Sequence, residues 1–351
     1  TILSHPLSVL LAFLPFGFAS HLLGWGETMT FWFNFLGMVP LAKILGDATE
    51  ELAAGLKNDM LAGLLNATFG NVVELVICVQ SLRQGLYSVV KATLLGSVLS
   101  NMLLVLGMSF FFGGIVNFAK PRPLMALAST GGSLRAASKE GAAPPEQGGF
   151  ASSLVMEKVQ KFQSLGALVN VSMLLLSCLS FMIVTIFESV THRERDDDYM
   201  ERTLLPVSRT SALVVISSYA AYIVFQLCTH SRSLADEMEE DEEEEEPLIS
   251  VNMAAAILFV TTILVSISSE MLVKAIKGVT EEANLSEHFI GIVLLPIIGN
   301  ACEHAAAVRF AMKDKLGLSI GIAIGSSTQI ALFAVPFAVL AGWAMHLPMD
   351  L

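Results

Sequence analysis

Nine runs of mostly apolar residues constrain this chain more than any other feature of its sequence. They lie at 6–23, 29–45, 61–82, 89–113, 165–187, 209–229, 250–274, 288–311 and 316–344. About 20 apolar residues in a helix cross the hydrocarbon core of a bilayer. The expected fold class is therefore an all-α polytopic membrane protein of about nine transmembrane helices. Composition agrees. Charged residues make up 15% of the chain and mean hydropathy is +0.67, whereas a soluble domain carries about 25% charge. No basic stretch or small-residue cleavage site marks the first run as a leader, so it reads as a retained span.

The net charge of -12 is mostly local. Positions 236–246 read DEMEEDEEEEE, with ten acids in eleven places, and removing them leaves -12 + 10 = -2. Asp236, Glu237, Glu239, Glu240, Asp241 and Glu242 open this run. It reads either as a solvated tract or as a cytoplasmic device for cation capture or regulation. A nucleic-acid partner needs a basic face, and the chain offers none. Residues 117–161 are polar and rich in Pro and Gly, which predicts an unpacked linker between the fourth and fifth spans. A charged loop, 192–202, follows the fifth span. With the N-terminus in the cytoplasm, Lys and Arg divide twelve to eight in favour of the cytoplasmic side, a weak form of the positive-inside rule. The same choice makes the acidic run cytoplasmic. Cys78, Cys178, Cys228 and Cys302 all lie in apolar runs without a CxxC pair, and read as small buried hydrophobes.

An internal repeat decides the architecture. Residues 70–74 read GNVVE and residues 299–303 read GNACE. The offset of 229 also carries Gly96-Ser97 onto Gly325-Ser326 without a gap, and ATEELA (48–53) weakly matches VTEEAN (279–284). Alternating spans send the two copies across the bilayer in opposite directions. That is an inverted repeat, the plan of many secondary transporters, whose ion sites lie at the midplane where helices break. Gly70 and Gly299 precede the motif asparagines, and Pro296 removes a helix hydrogen bond ahead of Glu303. The organisation that follows is a first helix at 1–28, a first repeat half at 29–229, an acidic linker at 230–249 and a truncated second half at 250–351.

Glu74 and Glu303 carry the chemistry. A carboxylate at the bilayer centre is costly, so it is paired, protonated or bound to a cation. Few Lys or Arg residues fall in these spans. Glu74, Glu303, Asn71 and Asn300, with nearby carbonyls, form an all-oxygen donor set that suits a hard cation such as Ca2+. Two negative charges balance one divalent ion. Without the ion, close like charges in a low dielectric favour the protonated forms. Metal and proton then exclude each other, which makes the site an exchanger. A channel would lack that competition, and a metalloprotease would want HExxH, which Cys302-Glu303-His304 is not; no enzyme and no cofactor are expected.

Residues around the pair stay open between roles. His304 points about 100° away from Glu303, as a proton relay or gate or as a supporting hydrogen bonder. Ser97 and Ser326 belong to the repeated Gly-Ser pairs. Ser100 and Gln329 hold matching positions, and either line the pathway or glue helices together. Glu50, Glu51, Glu281 and Glu282, near span ends, form a solvated face or attract cations.

NATFGNVVEL (66–75), GSVLSNMLLVLG (96–107), IIGNACEHAAAV (297–308), AMKDKLGL (311–318) and IAIGSSTQIALFAVPF (322–337) resemble the cation/proton exchangers of the Ca2+/cation antiporter superfamily, most of all the vacuolar Ca2+/H+ type. The resemblance covers 6 to 351 apart from the linker. It implies Glu74 and Glu303 as the cation and proton site, with an acidic helix between the halves. Sodium/calcium exchangers typically carry an acid near the position of Gln329, so its absence favours protons over sodium. The family pattern has eleven spans, of which the last two are absent here. The expected function is Ca2+/H+ antiport across a vacuolar or other acidic-organelle membrane, with Mn2+ transport or sodium coupling as the alternative. The expected partners are Ca2+, protons and the lipid bilayer, with self-association left open.

Overall fold

The computed structural model describes residues 6–56, 58–117, 164–191, 203–229 and 248–351. The linker beyond Asn117, the loop 192–202 and the acidic run 236–246 lie outside the described residues. What is described is helical, as it must be where no water can satisfy backbone groups.

A 3-10 turn, Pro6–Ala12, leads into α1 (Phe13–Leu23) and then α2 (Glu27–Gly55). Next come α3 (Asp59–Phe69), α4 (Val72–Arg83), α5 (Tyr87–Leu99) and, after a π turn at Ser100–Val105, α6 (Leu106–Asn117). The outer helices α7 (Ser164–Thr191) and α8 (Leu205–Val224) close the first half. The second half has α9 (Val251–Lys274), α10 (Ile276–Glu282) and a π turn at Ile290–Leu294 that opens α11 (Leu295–Met312). It continues with α12 (Leu316–Gln329), a π turn at Ile330–Ala334 and α13 (Val335–Ala344).

All nine expected spans are helical, but two differ from a simple crossing. Among the described residues, seven helices are long and apolar enough to span a bilayer, and Leu7–Leu23 is shorter. The third span is two helices, α3 and α4, broken at Gly70-Asn71. The expected break at Gly299 does not occur. There α11 runs through the motif, and Pro296 directly follows the π turn at Ile290–Leu294, where the ladder is already widened and the missing N–H is accommodated.

The repeat is a repeat of shape. Gly85 and Asp314, 229 positions apart, share a φ of 69°. The turns around them make the same bonds, Leu86 N–H to Ser81 O and Lys315 N–H to Phe310 O. The π turns after α5 and α12 also fall in register. Asp314 takes a left-handed conformation that glycine holds more cheaply, so the turn matters enough to tolerate that cost.

Helix α2 and the span from Leu316 to Ala344 are the most enclosed of the described spans. Phe31, Phe35, Met38 and Leu45 pack with Leu258, Val265 and Leu272 of α9 and Ile276 of α10. By contrast α7 turns Leu168, Leu175, Leu179, Ile183 and Ile186 outward. Lipid is as apolar as leucine, so that face gains nothing by burial, and α7 is held instead by polar contacts. Tyr222 donates to Asn170 Oδ1 at 2.6 Å, and Thr328 Oγ1 donates to the Asn170 carbonyl at 3.2 Å. The same logic corrects the reading of the cysteines. Only Cys78 is buried; Cys178 and Cys228 are exposed and Cys302 is half-buried, because an outward position facing lipid suits an apolar thiol.

The tightest crossing joins α5 to the π turn before α11. A Cβ on Gly96 would lie 2.7 Å from Ile292 Cα and 2.8 Å from its carbonyl carbon. Backbone cannot yield as a side chain does, so Gly96→Ala should lower stability by about 1–3 kcal/mol through overpacking. Thermal unfolding in detergent checks this; an unchanged midpoint would show that the two helices are free to separate.

Candidate ion-binding site

The break between α3 and α4 places Glu74 in the first turn of α4. There the free amides and the helix dipole favour a negative charge. Glu74 is 3% exposed, and its Oε2 has no hydrogen-bond partner. Its carboxylate lies against the backbone of Gly299 on α11, so closely that a Cβ there would overlap it. Glycine at 299 thus serves close approach rather than a helix break.

Glu303 has a different setting. It sits inside α11, away from any helix end, and is held by side chains. Ser326 Oγ donates to its Oε2 at 2.7 Å. Asn101 Nδ2 donates weakly to the same oxygen at 3.4 Å and to Ser326 Oγ at 3.0 Å. Gly299, against which Glu74 lies, is about one helical turn from Glu303 on the same helix. Neither carboxylate forms an ion pair with Lys or Arg among the described residues.

The asparagines cross between the halves. Asn71 Nδ2 donates to Gln329 Oε1 at 2.7 Å, and Asn300 Nδ2 donates to the Ser97 carbonyl at 3.2 Å. Both asparagines are buried. Each donates one amide hydrogen in these bonds, and the oxygen end of Asn300 has no partner. Asn300 Oδ1, Asn101 Oδ1, Ser97 Oγ and Glu74 Oε2 are all buried without a partner. Buried polar groups are almost always satisfied. Four of the unpartnered oxygens thus come from the two motif segments and the Gly-Ser helix with its π turn, and they are of the type a hard cation takes.

Of the predicted residues, Glu74, Glu303, Asn71, Asn300, Ser97, Ser326 and Gln329 belong to this network. Ser100 opens the π turn, and its hydroxyl makes no hydrogen bond among the described residues. His304 turns away to Met108 Sδ on α6, at 3.0 Å, which places it behind the carboxylates rather than between them. At the span ends, Glu51 accepts from the amides of Leu248 and Ile249 at 2.8 and 3.3 Å. Glu282 accepts from Thr28 Oγ1. Those two acids tie chain segments together, while Glu50 and Glu281 are exposed. Asn101 escaped the sequence reading. The offset pairs it with Ile330, so a search for matched polar residues passes over it; its signal was the Ser-Asn pair three residues after the repeated Gly-Ser.

Comparison with known proteins gives the family and the fold. A family model described as sodium/calcium exchanger protein matches residues 27–138 and 253–350. Vacuolar cation/proton exchanger 2 of Oryza sativa subsp. japonica is 40% identical over 362 residues, covering 100% of this chain and 72% of the relative. A Ca2+/H+ antiporter of Synechocystis is 37% identical, covering 98% and 84%. Among solved structures, native YfkE aligns with a TM-score of 0.71 at 29% identity, over 99% of this chain and 84% of its own. The H+/Ca2+ exchanger CAX shares the fold, with a TM-score of 0.63 at 12% identity over 98% of this chain and 76% of its own.

Proposed function

Since the chain belongs to the sodium/calcium exchanger protein family, we propose that it is a secondary antiporter exchanging Ca2+ for H+, the two ions competing for Glu74 and Glu303. The observation that carries this reading is the buried carboxylate pair, without a fixed cation among the described residues, beside unpartnered oxygens from both halves. One Ca2+ neutralises two carboxylates and takes 6–8 oxygens. Protons neutralise the same pair without using the remaining oxygens. Because the ligands must be deprotonated to hold metal, each ion displaces the other.

The residues divide the work. Glu74 and Glu303 supply charge. Asn300, Asn101 and Ser97 supply neutral oxygens. Ser326 orients Glu303, and the Asn71–Gln329 bond fixes the first motif against the second Gly-Ser helix. His304 acts through α6 packing rather than as a ligand. The vacuolar relatives support an acidic organelle membrane. The distribution of Lys and Arg argues for a cytoplasmic N-terminus and acidic run, with the run serving cation capture or regulation there.

Sealed vesicles containing the purified chain test the reading. An inside-acid pH gradient should drive 45Ca2+ uptake, and dissipating the gradient with a protonophore should stop it. Uptake that ignores the pH gradient and follows a sodium gradient would replace protons with sodium as the counter-ion.

A further inference from the structure

A hydroxyl inside a membrane helix has a ready partner in a carbonyl three or four residues back on the same helix. Thr49, Thr262 and Ser327 use it, donating to the carbonyls of Leu45, Leu258 and Ala323. Three hydroxyls near the candidate site do not. Ser81 on α4 and Thr93 and Ser97 on α5 are at most 1% exposed, and their oxygens have no hydrogen-bond partner. Glu74 Oε2, also on α4, is orphaned with them. Buried polar groups left so are rare, and ordered water is the partner that satisfies them. Ser109, Ser268 and Ser319 are orphaned too, but each is the single such hydroxyl on its helix among the described residues.

The four groups fall on one line. Glu74 and Ser81 are seven residues apart on α4, and Thr93 and Ser97 four apart on α5, so each pair shares a helix face. On both helices that face is the seam between two apolar clusters. Val73, Ile77 and Val89 belong to one, and Leu75, Cys78, Leu82, Val90 and Leu94 to the other. The two helices are antiparallel and joined by a tight turn at 84–86. That pairing sets Ser97 level with Glu74, Thr93 with Ile77 and Ser81 with Val89. The Ser97 carbonyl and the Glu74 carboxylate both meet α11, at Asn300 and Gly299, as the same level requires. Successive groups are thus about 4–6 Å apart along the helix axes, a gap that one bridging water covers. Ser81 lies two residues from exposed Arg83, where the line reaches the membrane face. The second half does not repeat it. The offset of 229 turns Ser81 into Phe310 and Thr93 into Ile322, and Ser326, the counterpart of Ser97, is bonded to Glu303. Packing the motif helix on the Gly-Ser helix therefore does not need these hydroxyls.

We propose that Ser81, Thr93 and Ser97 hold a file of buried waters that carries protons between Glu74 and the membrane face at the α4–α5 turn. A hydroxyl both donates and accepts, so it hands a proton to the next water without itself gaining charge. Ca2+ needs 6–8 oxygens around it, and single hydroxyls between valine and leucine walls do not supply them. The file admits protons and refuses the cation. With the N-terminus cytoplasmic this face is the lumenal one, so Glu74 exchanges its proton with the acidic side by a route the cation does not share. Glu303 has no such file, because Phe310 and Ile322 stand where it would run.

The inference rests on the antiporter reading and gives its proton a path. Its test separates proton-coupled from proton-free transport in vesicles carrying the full chain. One assay is 45Ca2+ uptake driven by an inside-acid gradient. The other is exchange of external 45Ca2+ for internal unlabelled Ca2+ without a gradient, which uses the same carboxylates and no proton. Thr93→Val keeps the side chain's shape and removes its hydroxyl. It should slow the first mode by about tenfold or more, as loss of a positioned proton-transfer group does, and leave the second at the wild-type rate. Thr93→Ser should restore the first mode. Ser81→Ala should repeat the pattern of Thr93→Val, and carries the test if that variant fails to insert. Equal loss of both modes would make the hydroxyls structural, and undiminished proton-driven uptake would leave the file unused; either result overturns the proposal. A wild-type chain that exchanges 45Ca2+ for Ca2+ but ignores the pH gradient would instead overturn the antiporter reading, and the file with it.

Discussion

Glu74→Gln and Glu303→Gln should each abolish exchange while leaving the fold intact. Gln matches Glu in shape and is cheaper to bury because it carries no charge. Glu74 lies against Gly299 without using its Oε2 in any hydrogen bond, so an amide fits without breaking a contact. Glu303 accepts from Ser326 and Asn101 through one oxygen, which the amide oxygen of Gln can replace. The loss falls on the ion. One remaining carboxylate leaves a divalent cation with an uncompensated positive charge in a low-dielectric site. Removing one partner of a buried ion pair costs about 3–5 kcal/mol, and each 1.4 kcal/mol is tenfold in affinity. Exchange should therefore fall by at least about a hundredfold. The measurement is 45Ca2+ uptake beside a thermal unfolding curve for each variant. Near-normal uptake in either one removes the paired-carboxylate site from the mechanism.

The second large effect is on pH, and its sign differs between the two faces of the membrane. Protonated glutamates cannot ligand Ca2+. On the loading side, lowering the pH should raise the apparent KM, by up to about tenfold per pH unit for each proton displaced, since one pH unit is 1.36 kcal/mol per proton. On the release side, lowering the pH should speed unloading, because protons replace the departing ion on the same oxygens. Glu74 lies against Gly299, about one helical turn from Glu303 on α11, so the titration is expected to belong to the pair rather than to either residue. The check is initial uptake into sealed vesicles with each side buffered separately. A KM that stays flat with loading-side pH, together with uphill uptake that survives collapse of the gradient, would exclude proton exchange.

Much of this could be read from residues alone, and the reason is the solvent. A bilayer forces helices and sets their length, so apolar runs map onto spans almost one to one. Carboxylates in such runs stand out because burying them is costly. The duplicated Gly-Asn-x-x-Glu and its Gly-Ser partner marked the candidate site because repetition at one offset is a strong signal. The offset even anticipates the backbone, since Gly85 and Asp314 take the same turn.

What the sequence could not settle is where the halves stop being equivalent. Equal motifs predict equal surroundings, yet Glu74 sits at a helix start and Glu303 within a helix. Whether Gly70 or Gly299 breaks its helix depends on what packs against it, and Gly299 is held beside the Glu74 carboxylate. Asn101 enters the site because a π turn aims it across the interface, and its offset partner Ile330 is apolar. Local sequence determines which helices form and which residues carry charge. Which of two symmetric contacts is made depends on a packing difference spread over the whole molecule, and no single segment encodes it.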